Sequence, residues 1–389
     1  PENGDGDMTF SRNSAATRVN AQGLVENVAS NLPRIDYTDG CGSLLLEPQS
    51  TNLITQSELF SDAYWTKSNS SVTSGFTSPK GDLSAFKLVN SAVTSTHYLS
   101  NSIAVTSGVD YTLSILAKKG EYDFITLMLQ GNGWLNSTRT ISFNLANGTF
   151  DYADTGITYK STLLDNGFYI IEVTNQTIST SVNLRIYTSS TSYDVSSYLG
   201  DGTSGVYIYG AQLEQNSYAT SYIPTSGAIS TRLADISNNS GNTSLINSEE
   251  GTLYFEGSAL ADDGTSRRIS ISDGTNANRI FLSYGTTSNN IRAYIVAGGV
   301  NVTDRNYTGA TITNSNKIAI RWGVNNFSLW VNGLNVSEDL SGATFTSSVL
   351  NDLSFNGATG GSPFYGKNKA LAVYKTALTD EQLTVLTTI

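Results

Sequence analysis

The stretch Val182-Asn183-Leu184-Arg185-Ile186-Tyr187 alternates apolar and polar side chains, the period-two pattern of a strand lying half in a core and half in water. It sets Val182, Leu184 and Ile186 on one face and Asn183, Arg185 and Tyr187 on the other. The same rhythm extends in both directions. Tyr111 to Ala117, Phe124 to Leu129, Thr140 to Phe143, Phe168 to Val173 and Gly205 to Leu213 all read as strands. Asp165-Asn166-Gly167 directly before Phe168 offers an Asn-Gly pair for the positive φ angles of a tight hairpin.

Gly227 to Asn247 is polar and turn-rich, and Asn238 to Ser244 has nothing to bury, which reads as a linker. Beyond it the strand rhythm restarts with Gly251 to Ser258, Arg268 to Ser272, Arg279 to Tyr284, Ile291 to Ala297, Asn316 to Trp322 and Asn326 to Val331. Asn332-Gly333 then divides Leu329-Trp330-Val331 from Leu334-Asn335-Val336 as a hairpin turn. The expected fold is all-β: two β-sandwich (jelly-roll) domains in tandem. The boundaries read as an irregular N-terminal lead-in over 1–52, a first sandwich over 53–228, a linker over 229–246 and a second sandwich over 247–389. Thr379 with Gln382 three residues on fits a capping box and predicts a short C-terminal helix from Asp380.

Bulk composition agrees. The chain of 389 residues exceeds the roughly 150 typical of one domain, and 21 Tyr and 14 Phe against 2 Met favour sheets over helices. Only 14 % of the residues are charged, and 33 acidic against 22 basic residues give a net charge of −11. A field of that sign repels phosphate backbones and anionic headgroups, so nucleic acid is excluded as the expected partner. No apolar run reaches the roughly 20 residues that span a bilayer, and the start at Pro1 carries no signal-peptide pattern, so no membrane insertion is expected. Cys41 is the sole cysteine, which leaves no intrachain disulfide and no cysteine-built zinc site. The Asn-x-Ser/Thr triplets at Asn136, Asn147 and Asn301 arise by chance in so Asn-, Ser- and Thr-rich a chain.

The lead-in carries a specific pattern: Arg12-Asn-Ser-Ala-Ala-Thr-Arg18-Val-Asn, then Asn31-Leu-Pro-Arg34-Ile-Asp36-Tyr37, then Leu44-Leu-Leu-Glu47-Pro-Gln-Ser-Thr-Asn52-Leu. This resembles the lead-in of phage tail and head-fibre (spike) proteins, in which it precedes a carbohydrate-binding-module-like jelly roll. The ending of that module is matched by Gly205-Val-Tyr-Ile-Tyr-Gly210-Ala-Gln-Leu-Glu214-Gln and Tyr218-Ala-Thr-Ser-Tyr222-Ile-Pro224-Thr. The second module resembles laminin-G and concanavalin-A-like sandwiches through Glu250 to Phe255, Lys317 to Trp322, Phe327 to Gly333 and Leu371 to Gln382. The resemblance implies a virion-surface or extracellular location, other virion proteins as partners and a homo-oligomer. It requires no cofactor and implies at most one structural calcium near the terminal strands of the jelly roll, with Glu214 as the ligand to test.

The residues offer little chemistry. His97 is the only histidine, and Cys41 sits between two glycines, so no nucleophile–base pair is expected. No strand carries the paired carboxylates of a sandwich-fold glycosidase. Glu249 and Glu250 are adjacent and would point to opposite faces, and Asp262-Asp263-Gly264 reads as a turn. Asn3-Gly-Asp5-Gly-Asp7 resembles half a calcium loop and lacks the later Glu.

Sugars present apolar faces edged with hydroxyls, so their sites pair an aromatic platform with planar polar side chains. Trp134 lies in the polar glycine-rich loop Gln130 to Asn136 and is the expected platform, the alternative being a lid on the sandwich. Gln130, Arg185 and Tyr187 are expected beside it, with Tyr122 flanking. Trp330, which shares parity with Ser328, is the candidate in the second module, whereas Trp65 and Trp322 read as core. The expected function is non-catalytic binding of a polysaccharide or cell-surface glycan. Set against it are a polysaccharide depolymerase with carboxylates from distant loops and a purely structural virion part.

Overall fold

A computed structural model describes residues 6–193 and 195–389, so Asn3 and Asp5 of the half calcium loop lie outside the described residues. The first sandwich packs two six-stranded antiparallel sheets. One runs in the order Thr149–Ala153, Arg139–Asn144, Phe124–Gln130, Ser181–Ser189, Tyr98–Ala104, Thr66–Ser68. The other runs Thr158–Leu163, Tyr169–Gln176, Asp110–Lys118, Gly205–Glu214, Ala85–Asn90, Ser70–Phe76. Strand alternation places the core between them. Val182, Leu184 and Ile186 meet Leu113, Ile115, Ile171, Val173 and Ile208 there, all buried, and burying each such side chain is worth about 1.5–3 kcal/mol.

The second sandwich is equally all-β, with one departure from expectation. Its five-stranded sheet runs Val300–Tyr307, Ile291–Ala297, Arg279–Tyr284, Arg267–Ser272, Asp352–Ser354. Its seven-stranded sheet runs Leu334–Asp339, Phe327–Val331, Asn316–Trp322, Gly251–Ala259, Gly366–Tyr374, Ser43–Leu46, Arg34–Asp36. The last two strands come from the lead-in. Ser43–Leu46 pairs with Gly366–Tyr374, and Leu46 sits 1 % exposed in the second core. Segment 1–52 is therefore not wholly an irregular preface: its strands Arg34–Asp36 and Ser43–Leu46 continue the sheet of the distant module.

The expected linker is structured as well. Ser230–Arg232 pairs with Ser50–Asn52, and Ile236–Asn238 pairs with Thr9–Ser11. Lead-in and linker meet in an ionic cluster. Arg12 bonds Asp235 at 3.0 Å, Arg34 bonds Glu47 at 2.7 Å and also Asp235, and Arg232 lies 3.4 Å from Glu47, with every one of these side chains at most 3 % exposed. Ser221, from the segment that closes the first sandwich, donates to both oxygens of Glu47 through its amide at 2.7 Å and its hydroxyl at 2.6 Å. Burial pushes the Glu47 carboxyl up, but Arg232 and Arg34 outweigh it and hold the group at about 2.

Two turns differ in kind. Asn332 and Gly333 take φ of 53° and 85°, the paired positive angles of a two-residue hairpin, as the sequence predicts. At Asn166-Gly167 only Gly167 is positive, at 82°. The Asn166 side chain instead accepts from Phe168 N and donates to Gly23 O and Pro79 O, tying the turn to the lead-in. The helix Asp380–Thr387 carries the predicted capping box between Thr379 and Gln382.

Candidate functional site

The outward face of the sheet containing Ser181–Ser189 collects the polar partners of the core alternation. Register aligns Gln130 with Asn183 and Asn183 with Ser102, Met128 with Arg185 and Arg185 with Ser100, and Thr126 with Tyr187 and Tyr187 with Tyr98. Arg185 and Tyr187 share one face by their parity, and the pairing of the two strands brings Gln130 to it. Arg185 lies over the Tyr98 ring with its guanidinium carbon 4.3 Å from the centroid, and its Nη1 donates to the Tyr187 hydroxyl at 3.1 Å. Burial pushes the Tyr187 hydroxyl above its ordinary value, the Arg185 bond acting against it, so the phenol stays protonated at neutral pH.

Asn183 Nδ2 donates to Ser102 Oγ at 3.1 Å. Its own Oδ1, Gln130 Oε1 and Arg185 Nε are covered and have no hydrogen-bond partner among the described residues. Unpaired polar atoms under cover cost about 1–3 kcal/mol each, and here three of them cluster on neighbouring strands. The row through Tyr187 and Tyr98 continues through Thr126 and Ser142 to Tyr152. Tyr152 stacks on Tyr193 with centroids 3.7 Å apart and planes 21° apart, and the Tyr193 amide donates to Ser142 Oγ at 3.0 Å. Strands ~4.8 Å apart put Tyr152 about 19 Å from Tyr98, so the face has an aromatic at either end and amides and a guanidinium between.

Trp134 is not part of it. The indole has no solvent exposure and belongs to the core of the first sandwich, with a backbone bridge from Trp134 to Thr177 folding the loop back. Gly133 permits this close approach, since a Cβ there would stand 2.7 Å from Ser181 O. The lid alternative therefore holds and the platform does not. Tyr122 does not flank Gln130 either: it precedes the opposite end of the strand Phe124–Gln130, packs on the core, and its amide donates to Gly205 O. Trp330 is 4 % exposed, bonds Ser328 Oγ at 3.0 Å and is covered by Leu383 of the C-terminal helix. Trp65 and Trp322 are core residues.

Glu214 is buried and its carboxylate is already saturated. Ser50 and Thr220 hydroxyls donate to Oε1, and Gln212 Nε2 and Thr220 N donate to Oε2. A carboxylate offers about four acceptor sites, so none is left for calcium. The calcium ligand expected at Glu214 is corrected to a structural acceptor. His97 is buried with its ring nitrogens on the carbonyls of Asn69 and Tyr198, and Cys41 is exposed in a bend; neither stands beside a catalytic partner.

No family model and no curated protein matches this chain. Among solved structures it is similar to the Ruminococcus gnavus IT-sialidase CBM40, at 19 % identity over 36 % of this chain and 83 % of that one, with a TM-score of 0.31. It is also similar to the mouse laminin alpha1 chain domains LG4-5, at 11 % identity over 74 % of this chain and 91 % of that one, TM-score 0.27. Sheep galectin-11 in complex with glycerol matches at 8 % identity over 32 % of this chain and 89 % of that one, TM-score 0.23. The β-sandwich assignment itself rests on the strand order and register given above.

Sequence reading missed Asn183, Tyr98, Tyr152 and Tyr193 as members of the face. Asn183 was legible, being two residues from Arg185 on one strand. The three tyrosines enter only through strand order, which no local pattern encodes.

Proposed function

We propose that this chain is a non-catalytic glycan-binding protein of a phage virion surface, a tail fibre, spike or capsid decoration that adheres to host or environmental polysaccharide. The observation that carries the binding is the outer face of the first sandwich, where the half-buried side chains of Arg185, Gln130 and Asn183 lie between tyrosines. Amides and a guanidinium match sugar hydroxyls, and tyrosine rings match sugar faces. The virion setting is supported by the resemblance of the lead-in around Arg12, Arg34 and Glu47. Arrayed copies would turn weak single sites into avidity gains of roughly 10² to 10⁴.

A depolymerase would need carboxyls facing a substrate-sized cleft. Burial raises the Glu172 carboxyl, and Glu172 lines a cavity where the lead-in, the first sandwich and Leu260 and Lys367 of the second meet. That cavity holds about 170 Å³, below the roughly 300–1,000 Å³ of ordinary small-ligand sites, which does not suit a polymer.

The test is a glycan array probed with the full chain and with Arg185→Ala. Retention on at least one glycan, weakened about tenfold by the substitution while the unfolding free energy changes by less than about 1 kcal/mol, is expected. A blank array for the wild-type chain, monomeric and multimerised, would sink the proposal.

A further inference from the structure

The second sandwich carries a different surface on the outer side of its five-stranded sheet. Inward, that sheet buries Ile269, Ile271, Ile280, Leu282, Ala293 and Ile295. Outward, register lines up Ser270, Phe281, Tyr294 and Asp304 in one row, and Arg268, Ser283, Arg292 and Asn306 in the next. Arg279 stands two residues before Phe281 on the same strand. Three guanidiniums therefore converge on two rings. Arg268 lies 4.7 Å and Arg279 5.5 Å from the Phe281 centroid, and Arg292 lies 4.6 Å from that of Tyr294.

Their charge is not balanced locally. Arg292 grips Asp304 through two bonds of 2.7 Å each. Among the described residues no carboxylate lies within ion-pair distance of Arg268 or Arg279, and Asp352, on the edge strand, bonds Ser354 instead. Arg279 has Asn276 as its side-chain partner, while Arg268 Nε and Arg279 Nε are covered and unpaired. Ser270, with no solvent exposure, also has a hydroxyl without a partner in the same patch. Burial lowers the Arg268 pKa, and the neighbouring Arg279 and Arg292 lower it further, the mark of like charges held together without a counter-ion.

A chain of net charge −11 gains nothing from concentrating unpaired arginines on one sheet face unless an anion is to be admitted there. The anion's shape is indicated on the face itself, because Asp304 already fills the fork of Arg292 with a planar carboxylate. Tyr294 is half-buried, so part of its ring remains open to an apolar surface such as the face of a sugar.

We infer that the outer face of the second sandwich, built on Arg268, Arg279 and Tyr294, binds the carboxylate-bearing sugars of an acidic polysaccharide. This is a second site on the other module from Arg185. It shares a ligand class with the proposed function and does not depend on the first face. Binding there is electrostatic and weakens with salt.

The experiment uses the full chain against immobilised polygalacturonate, with neutral dextran and single-stranded DNA as comparators, at low and at physiological salt. Variants are Arg268→Gln with Arg279→Gln, which keep the apolar stems over Phe281, and separately Arg185→Ala. Expected are retention on polygalacturonate that falls as salt rises and a loss of about tenfold or more in the double variant, larger than any loss in Arg185→Ala. A thermal melt shows that the double variant is folded. Should it prove unfolded, Arg268→Lys and Arg279→Lys take its place, which keep charge and lose the fork, and at least a several-fold loss is expected. The inference is overturned if wild-type protein ignores polygalacturonate, if dextran or DNA is retained equally well, or if the folded variants bind undiminished. Loss in Arg185→Ala alone would place acidic-glycan binding on the first face, overturning this site while leaving the proposed function standing.

Discussion

A buried indole and a half-buried guanidinium on the outer face answer substitution in opposite ways, and the first sandwich holds one of each. Trp134 has no exposure and packs in the main core, so Trp134→Ala removes transfer energy and leaves a cavity. Equilibrium denaturation should show a loss of about 3–5 kcal/mol, with glycan retention kept by the folded fraction. A loss under about 1 kcal/mol would contradict the burial. The sequence placed Arg185 and Tyr187 on one surface because parity within a strand is strictly two-fold, whereas Gln130 joins them only through the pairing of Phe124–Gln130 with Ser181–Ser189. It misplaced Trp134 because a Gly- and Asn-rich loop indicates mobility in the chain, not the direction in which its one large side chain turns. Direction was decided by the backbone bridge from Trp134 to Thr177, a contact between segments that no local pattern links.

Among the elements, the strands read from alternation lie within about three residues of the observed ones, but Ser70–Phe76, Ala85–Asn90, Tyr98–Ala104, Thr149–Ala153, Thr158–Leu163 and Val300–Tyr307 went unread, as did the strands of the lead-in and linker. Strands such as Arg34–Asp36 and Ser230–Arg232 have three residues each, too short for alternation to register. What holds them is ionic, and that gives a pH signature. Glu47 ordinarily titrates at 4.5 and is held at about 2 in the fold. A depressed folded value means the stabilisation is complete above about pH 4.5 and is lost as pH falls towards 2, amounting to about 3 kcal/mol. Glu214 and Glu172, both raised by burial, act in the opposite sense, so the term is read as a difference. Wild-type stability minus that of Glu47→Gln should shrink steadily between about pH 5 and pH 2. A difference that stays constant across that range would mean that Glu47 is not the ionised hub of the cluster. Removing one partner from a buried ionic cluster leaves a charge uncompensated, so Arg34→Met should cost about 3–5 kcal/mol at pH 7, measured by the same denaturation.

At the scale of the whole molecule, two sandwiches in sequence are not two independent beads, because residues 34–46 belong by hydrogen bonding to the sandwich that begins some two hundred residues later. The connector 229–246 is clamped at both of its strands, which protects its backbone from proteases. Limited proteolysis should therefore spare it. The sharper consequence follows from deleting residues 1–48. The first sandwich keeps both of its six-stranded sheets, since each of their strands begins at Thr66 or later. The second loses the strands Arg34–Asp36 and Ser43–Leu46, its core loses Leu46, and the edge of Gly366–Tyr374 is bared. An unpaired edge invites pairing with another chain, so the truncated protein should show a lowered unfolding transition for the second module and concentration-dependent association in sedimentation. The Trp134-containing core should melt nearer its original midpoint, because the deletion takes from the first sandwich only outer packing, in which Val19 and Val25 cover Leu116, Phe168 and Tyr209, and leaves its inter-sheet core whole. A second-module transition left unmoved by the deletion would show that the lead-in does not serve the distant sheet in the way its register describes.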